Sequence, residues 1–161
     1  GNTTKAAELL HSMQTAGFQP NNVAYSAIVG SCAKRGDIEG AAYWVGHMTK
    51  SCLVPDQITC TSIVASCAKQ GDAVRAVWWH DEMERLGVPK NAITYTAVIG
   101  SCVKQGDTLR ASRLLAQMKH SLLTPDVVTY SAVVSVHASA GDTDGAQRVV
   151  AKMLEDGVIP N

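Results

Sequence analysis

Charge of one sign is what this sequence most plainly lacks. Lys plus Arg and Asp plus Glu each number 14 over 161 residues, so the formal net charge is zero. Bulk charge gives no support to nucleic-acid binding, and a local cationic stripe would have to supply it. Long apolar runs are missing as well; none approaches the length of a membrane-spanning helix. No basic, apolar and small-residue succession resembling a secretory signal opens the chain. Aromatic residues are scarce at 5%, but 46% of the residues are hydrophobic and 17% are charged. That composition is globular rather than disordered. Cysteine lacks the even number a disulfide framework needs: there are five, and Cys32, Cys67 and Cys102 are spaced by 35. Equivalent positions of successive repeats rarely come within bonding distance, so the cysteines read as small buried hydrophobes in a reducing compartment.

Catalytic signatures are absent too. There is no P-loop, no Gly-x-Ser-x-Gly and no Gly-rich dinucleotide turn. His80-x-Glu82 is half of a zinc deaminase signature, but no Pro-Cys-x-x-Cys follows it. Cys52, Cys60 and His47 do not stand at a closed zinc spacing, and Asp142-x-Asp144-Gly145 is too little of a calcium loop. No metal, cofactor or catalytic residue is expected.

What the sequence does have is one phrase written four times. "AYSAIVGSCAKRGD", "TCTSIVASCAKQGD", "TYTAVIGSCVKQGD" and "TYSAVVSVHASAGD" follow one another at 35-residue spacing. Aligning on the phrase gives units 22–56, 57–91, 92–126 and 127–161, with 1–21 fitting the second half of an earlier unit. Gly-Asp recurs at 36–37, 71–72, 106–107 and 141–142. Ala41, Ala76, Ala111 and Ala146 hold one position, and Met48, Met83, Met118 and Met153 another; Met13 and Pro20 extend the series backwards. Within each unit Gly is suited to cap a first helix in the left-handed region, and Asp to N-cap a second. Prolines 20, 55, 89, 125 and 160 are expected to stop that second helix. The fold class is therefore all-α: a solenoid of helix-turn-helix repeats, with nine helices, in which each unit buries its apolar face against its neighbours.

Phase then separates two faces of each first helix. At 100° per residue, unit positions 4, 7, 8 and 11 form a core stripe. They are Tyr25, Ile28, Val29, Cys32; Cys60, Ile63, Val64, Cys67; Tyr95, Val98, Ile99, Cys102; and Tyr130, Val133, Val134, His137. Positions 2, 5, 9 and 13 project to the other side. Position 2 is apolar and branched (Val23, Ile58, Ile93, Val128), and position 5 is a hydroxyl (Ser26, Thr61, Thr96, Ser131). Position 9 is small (Gly30, Ala65, Gly100, Ser135), and position 13 is a cation in three units (Lys34, Lys69, Lys104) and Ser139 in the fourth. A recurring apolar residue out of phase with the core suits a flat ligand held between units, and the lysines suit an anionic backbone. Tyr43, Trp44, Trp78 and Trp79 lie near the Ala and Met marks of the second helices, where inter-repeat packing is the expected role.

The phrase "VTYSAVV", the Gly-Asp before a helix, the Ala and Met marks and the closing Pro-Asp or Pro-Asn resemble the pentatricopeptide repeat family, over essentially the whole chain. The related tetratricopeptide repeat runs at 34 residues with a different pattern. The resemblance implies a right-handed α-solenoid that binds single-stranded RNA, one base per unit, the two chains running N to C and 5′ to 3′ together. It implies that position 5 and the last residue of the unit select the base: Ser26 with Asp56, Thr61 with Asn91, Thr96 with Asp126, Ser131 with Asn161. Asn21 would serve a base read with a position-5 residue the chain does not contain. It implies that Val23, Ile58, Ile93 and Val128 sandwich the bases, and that Lys34, Lys69 and Lys104 meet phosphates. In the family's usage these pairs read 5′-GAGA-3′, more firmly where position 5 is Thr. Three phosphate contacts correspond to a salt slope of roughly −2 on single strands.

Cys60 stands where the other units have Tyr, and Pro89 lies one place early with Lys90 before Asn91, which bears on how Asn91 is aimed. Asp56, Asn91, Asp126 and Asn161 also have an ordinary use as N-caps, compatible with base selection. The resemblance implies a mitochondrial or chloroplast setting, although no targeting segment is read here, and a role in RNA processing, stability or translation. The chain begins mid-unit, as a fragment or a consensus-like array would, and open solenoid ends offer a surface for end-to-end association. A peptide-binding scaffold, or the RNA-binding part of a larger RNA-processing enzyme, stands as the alternative. No membrane partner is expected.

Overall fold

The structure, a computed structural model, describes residues 19–160 together with Glu8, Ser12, Thr15 and Gly17. Met13, Asn161 and most of the half unit 1–21 lie outside the described residues. From residue 19 on, the described residues form eight α-helices in pairs: α1 (Asn22–Lys34) and α2 (Ile38–Lys50), α3 (Gln57–Gln70) and α4 (Ala73–Arg85), α5 (Ala92–Ser101) and α6 (Thr108–His120), α7 (Val127–Ser139) and α8 (Thr143–Glu155). No strand occurs among the described residues, and no helix among them is long and apolar enough to cross a membrane. The first helices α1, α3, α5 and α7 pack side by side in a row. Each second helix leans on its own first helix, and α2, α4 and α6 also on the next first helix along.

The turn inside each pair has no slack. Gly36, Gly71, Gly106 and Gly141 adopt φ of 77, 74, 59 and 73°, the left-handed region that L side chains resist. The Asp that follows donates its N–H to the carbonyl five residues back (Cys32, Cys67, Cys102 and His137), closing a Schellman turn. Its carboxylate then accepts from a backbone N–H of the next helix, at 2.8 to 3.0 Å. One residue thus ends one helix and begins the other. α5 departs in detail. Ser101 is buried and turns its hydroxyl back to Val98 O (2.7 Å), and residues Cys102–Gln105 tighten into a 3-10 turn.

The second helices stop earlier than the prolines require, which corrects the expectation above. Each ends four or five residues before its Pro, at Lys50, Arg85, His120 and Glu155. The stop is a left-handed residue at unit position 31: Cys52 (φ 57°), Gly87 (70°), Leu122 (57°) and Gly157 (75°). The next N–H then bonds the methionine carbonyl, as in Leu53 N to Met48 O at 2.9 Å and Val158 N to Met153 O at 3.0 Å. Glycine is absent from two of the four positions, so the pattern was masked. The recurrent methionine is the residue on which this turn closes.

The core follows the expected stripe closely. Val29, Cys32, Cys60, Ile63, Val64, Cys67, Val98, Ile99, Cys102, Tyr130 and Val133 are fully buried, as are Met48, Met83 and Met118. In α7 the stripe shifts: Val134 is only partly covered, since no further first helix packs beyond α7 among the described residues, and Val136 is buried. His137, at the position of three cysteines, is held between Asp142 (2.8 Å) and Ser112 (3.4 Å). The cysteines are free; four are buried, but Cys52 is exposed because it occupies the left-handed turn. Burial drives the Cys60 thiol up to about 12 and Cys67 up to about 11, so both stay protonated. Trp79 is buried and Trp44 partly so, while Tyr43 and Trp78 sit exposed on their helices rather than between repeats.

Candidate nucleic-acid interface

The face of α1, α3, α5 and α7 opposite the core stripe is where the out-of-phase residues collect. Val23, Ile58, Ile93 and Val128 are 74, 77, 63 and 63% exposed, although each is two residues from a fully or almost fully buried core side chain. Burial of the neighbours fixes the helix phase, so these apolar side chains have nowhere to go but solvent. Ser26, Thr61 and Thr96 are partly covered, and Ser131 is exposed.

The unit-closing residues act as N-caps. Asn21 Oδ1 accepts from Ala24 N (3.0 Å), Asp56 Oδ1 from Thr59 N (2.7 Å), Asn91 Oδ1 from Thr94 N (2.9 Å) and Asp126 Oδ1 from Thr129 N (2.8 Å). This has a chemical consequence beyond stability. A backbone N–H needs an acceptor, so an asparagine in this position must direct its oxygen to the helix and leave Nδ2, a donor, free. An aspartate likewise spends Oδ1 and leaves Oδ2, an acceptor. Capping thus fixes the polarity of the atom left over. Pro89, one place early, does not disturb this: Asn91 caps α5 like its counterparts and closes a capping box with Thr94.

Two of the four pairs are joined. Asn91 Nδ2 donates to Thr61 Oγ1 at 3.3 Å across 30 residues of sequence. Thr96 reaches Asp126 through an intermediary: its Oγ1 lies 2.7 Å from Thr129 Oγ1, which bonds Asp126 Oδ1 at 2.8 Å. Those bonds from Thr129, backbone first, hold the Asp126 carboxyl below its ordinary range. Ser26 and Asp56 share no hydrogen bond, and Ser26 Oγ is buried without a partner. They do share one open pocket of about 520 Å³, lined also by Gly30, Lys34, Ile58 and Thr59. At Ser131 the carbonyl accepts from Ser135 Oγ, and its expected partner Asn161 lies outside the described residues.

Cations flank the same face. Lys34, Arg35 and Lys69 line a cleft of about 680 Å³ between α1 and α3, with Ser62 and Gln70. The Lys104 ammonium lies over Gly71, in the space a Cβ there would take. Ser139, in the corresponding place of α7, is committed to the carbonyls of Val103 (2.8 Å) and Val136 (2.9 Å). Sequence reasoning missed Thr129. Its signal was the recurrence of Thr at position 3 (Thr59, Thr94, Thr129), a hydroxyl that the structure buries at all three places. Among the described residues no group of His, Cys, Asp and Glu is placed to hold a metal ion.

Comparison with known proteins gives this geometry its family. A model of the pentatricopeptide repeat domain matches residues 8–70, 80–138 and 123–161, and one of the PPR repeat family matches 55–104. The chain belongs to the pentatricopeptide repeat family. The crystal structure of the pentatricopeptide repeat protein PPR10 from maize superposes with a TM-score of 0.86 at 30% identity, over 99% of this chain and 23% of that one. This pentatricopeptide repeat chain therefore spans under a quarter of that relative. PPR10 in complex with an 18-nt psaJ RNA element superposes at 0.73 and 26% identity, over 90% of this chain and 21% of that one. The PPR domain of Arabidopsis thaliana protein-only RNase P 1, in complex with tRNA, gives 0.78 at 16% identity, over 99% and 84%, a likeness of fold alone. No curated protein matches the chain.

Proposed function

We propose that this chain is a single-stranded RNA-binding module that reads one base per unit and does no chemistry of its own. The observation that carries the reading is the meeting of position 5 with the unit-closing residue on the exposed face, directly at Thr61 and Asn91 and through Thr129 at Thr96 and Asp126. Side chains 30 residues apart have no structural need to converge on a solvent-facing groove between exposed apolar residues. A base slotted between Ile58 and Ile93, or between Ile93 and Val128, would cover those residues and meet the joined pair edge-on.

The polarity left by capping selects among bases. Asp56 and Asp126 offer an acceptor, which suits the N–H of a guanine edge; Asn91 offers a donor, which suits the ring nitrogen acceptor of adenine. With Asn161 closing the last unit, the four sites read 5′-GAGA-3′. Lys34, Lys69 and Lys104 take the phosphates, and Ser139 supplies no cation there. RNA in complex with the relative PPR10 supports this reading, and so does the family's use in organellar RNA processing, stability or translation, the role assigned here.

Fluorescence anisotropy at low salt tests it. A labelled RNA carrying GAGA should bind most tightly, with CUCU, AGAG and the DNA equivalent competing weakly. Equal competition by CUCU would remove the base assignments. Absence of RNA binding at micromolar protein, with a peptide ligand captured in the same groove, would make the chain a protein-interaction scaffold.

A further inference from the structure

We infer that Thr129, a buried residue outside the base-contacting set, is a specificity-positioning residue: it turns Thr96 and Asp126 into a surface of two acceptors that matches guanine. The inference rests on the RNA-binding reading above and adds a residue and a rule to it.

The number of protons available fixes the direction of each bond. An ionised Asp126 can only accept, so Thr129 must donate its single hydroxyl proton to Asp126 Oδ1 at 2.8 Å. Thr129 Oγ1 then has none left for Thr96, and the 2.7 Å contact between the two hydroxyls is donated by Thr96. The Thr96 proton is thereby locked away from the groove, and Thr96 Oγ1 presents only lone pairs. Asp126 Oδ2, left over by the capping, is the second acceptor of the site. Thr129 is fully buried, so water cannot relieve this arrangement by supplying a proton.

The neighbouring site runs the other way. Thr94 spends its proton on the Asn91 carbonyl (2.7 Å) and accepts from Asn91 N (3.1 Å), so it has no part in the groove. Asn91 Nδ2 donates to Thr61, which keeps its own proton and can donate it to a ligand. Two threonines at the same unit position therefore face the groove with opposite polarity. At these two sites the buried threonine follows the unit-closing residue, bonding the carboxylate of Asp126 in one and the backbone of Asn91 in the other; the Thr59 hydroxyl makes no such bond to Asp56.

Guanine alone among the four bases carries two adjacent donors, N1–H and the 2-amino group, on its pairing edge. Uracil has one N–H between two carbonyls, and adenine and cytosine set a donor beside an acceptor. An acceptor pair thus separates guanine from uracil, which a lone aspartate would not do well, because uracil also satisfies one acceptor.

The test compares GAGA with GAUA for the wild-type chain, Thr129→Val and Thr129→Ser, by competition anisotropy. The valine keeps the shape and removes the hydroxyl; it should cut the preference for guanine at the third letter about fivefold or more, the worth of one lost hydrogen bond. The serine should restore that preference. Thr94→Val, whose counterpart hydroxyl serves only the backbone, should leave the second letter's preference unchanged. An unaltered GAGA to GAUA ratio in a folded Thr129→Val overturns the proposal. A readout free of RNA separates its failure from that of the RNA reading. In the free wild-type chain the Thr96 and Thr129 hydroxyl protons should appear in proton NMR as slowly exchanging signals, the Thr96 proton close to the Thr129 side chain. Fast exchange of both would overturn the proposal even if RNA binds and even if the valine variant does not fold.

Discussion

Residues 57–91 and 92–126 follow one plan, α3–α4 and α5–α6, and three of their differences show how much the plan tolerates. In the core, unit position 24 is His80 in the first and Leu115 in the second, both buried. At the left-handed turn after the second helix it is Gly87 in one and Leu122 in the other. In the groove it is Thr61 with Asn91 against Thr96 with Asp126. The backbone is held by repeated burial and capping in both, so the first two differences cost stability and leave the groove in place. The third changes which protons face outward. A solenoid separates these duties because each helix has one face for its neighbours and one for solvent.

The largest stability difference is expected from removing the histidine. Neither nitrogen of His80 has a hydrogen-bond partner; the Asp81 carboxylate stands 3.6 Å from Nδ1, beyond bonding distance. Burial, with the Lys90 charge nearby, pushes the His80 pKa down from 6.5 to about 4. At neutral pH the ring is therefore uncharged in the folded chain. A histidine whose folded pKa is depressed destabilises as pH falls, because between about 6.5 and 4 the unfolded chain takes up the proton first. His80→Leu should raise stability at pH 7 by about 1–3 kcal/mol, the cost of an unsatisfied buried polar group. It should also abolish a loss of up to about 3 kcal/mol between pH 6.5 and 4. Urea unfolding at pH 7 and at pH 4.5 measures both, and parallel pH dependence of variant and wild type would refute the second.

A smaller effect follows at the turn. Leu122 is 92% exposed at φ 57°, so its side chain contributes no packing while its Cβ strains the backbone. Leu122→Gly should therefore stabilise the chain by about 1 kcal/mol, and Gly87→Leu should cost a similar amount. Thermal melts compare the two. A Leu122→Gly that melts lower than wild type would mean the exposed leucine packs after all.

Features repeated at one spacing were legible in the sequence because each copy corroborates the others. The glycine turns, the capping aspartates, the methionines and most of the core stripe are of this kind, and so is the exposure of Val23, Ile58, Ile93 and Val128, which the phase of the stripe dictates. What was not legible depends on a choice made in one copy only. The stop at position 31 was hidden by Cys52 and Leu122, which take a glycine conformation without being glycine, and the prolines downstream drew the credit. Val134 is only partly covered because no further first helix packs beyond α7 among the described residues. Tyr43 and Trp78 are exposed because their helix phase points them outward, whatever their hydrophobicity. The hydrogen-bond chain through Thr129 depends on where a single hydroxyl proton goes, which residue type alone does not specify.

The central claim, that the unit-closing residue sets the base through the polarity of its uncapped atom, is tested most directly by exchanging the two groove sites. Wild type and the double variant Asn91→Asp, Asp126→Asn would be titrated against GAGA and GGAA by fluorescence anisotropy. Wild type should prefer GAGA and the exchanged chain GGAA, by about tenfold at each altered letter, the size of one hydrogen bond to a charged group. The same ranking of the two RNAs by both proteins would contradict the account.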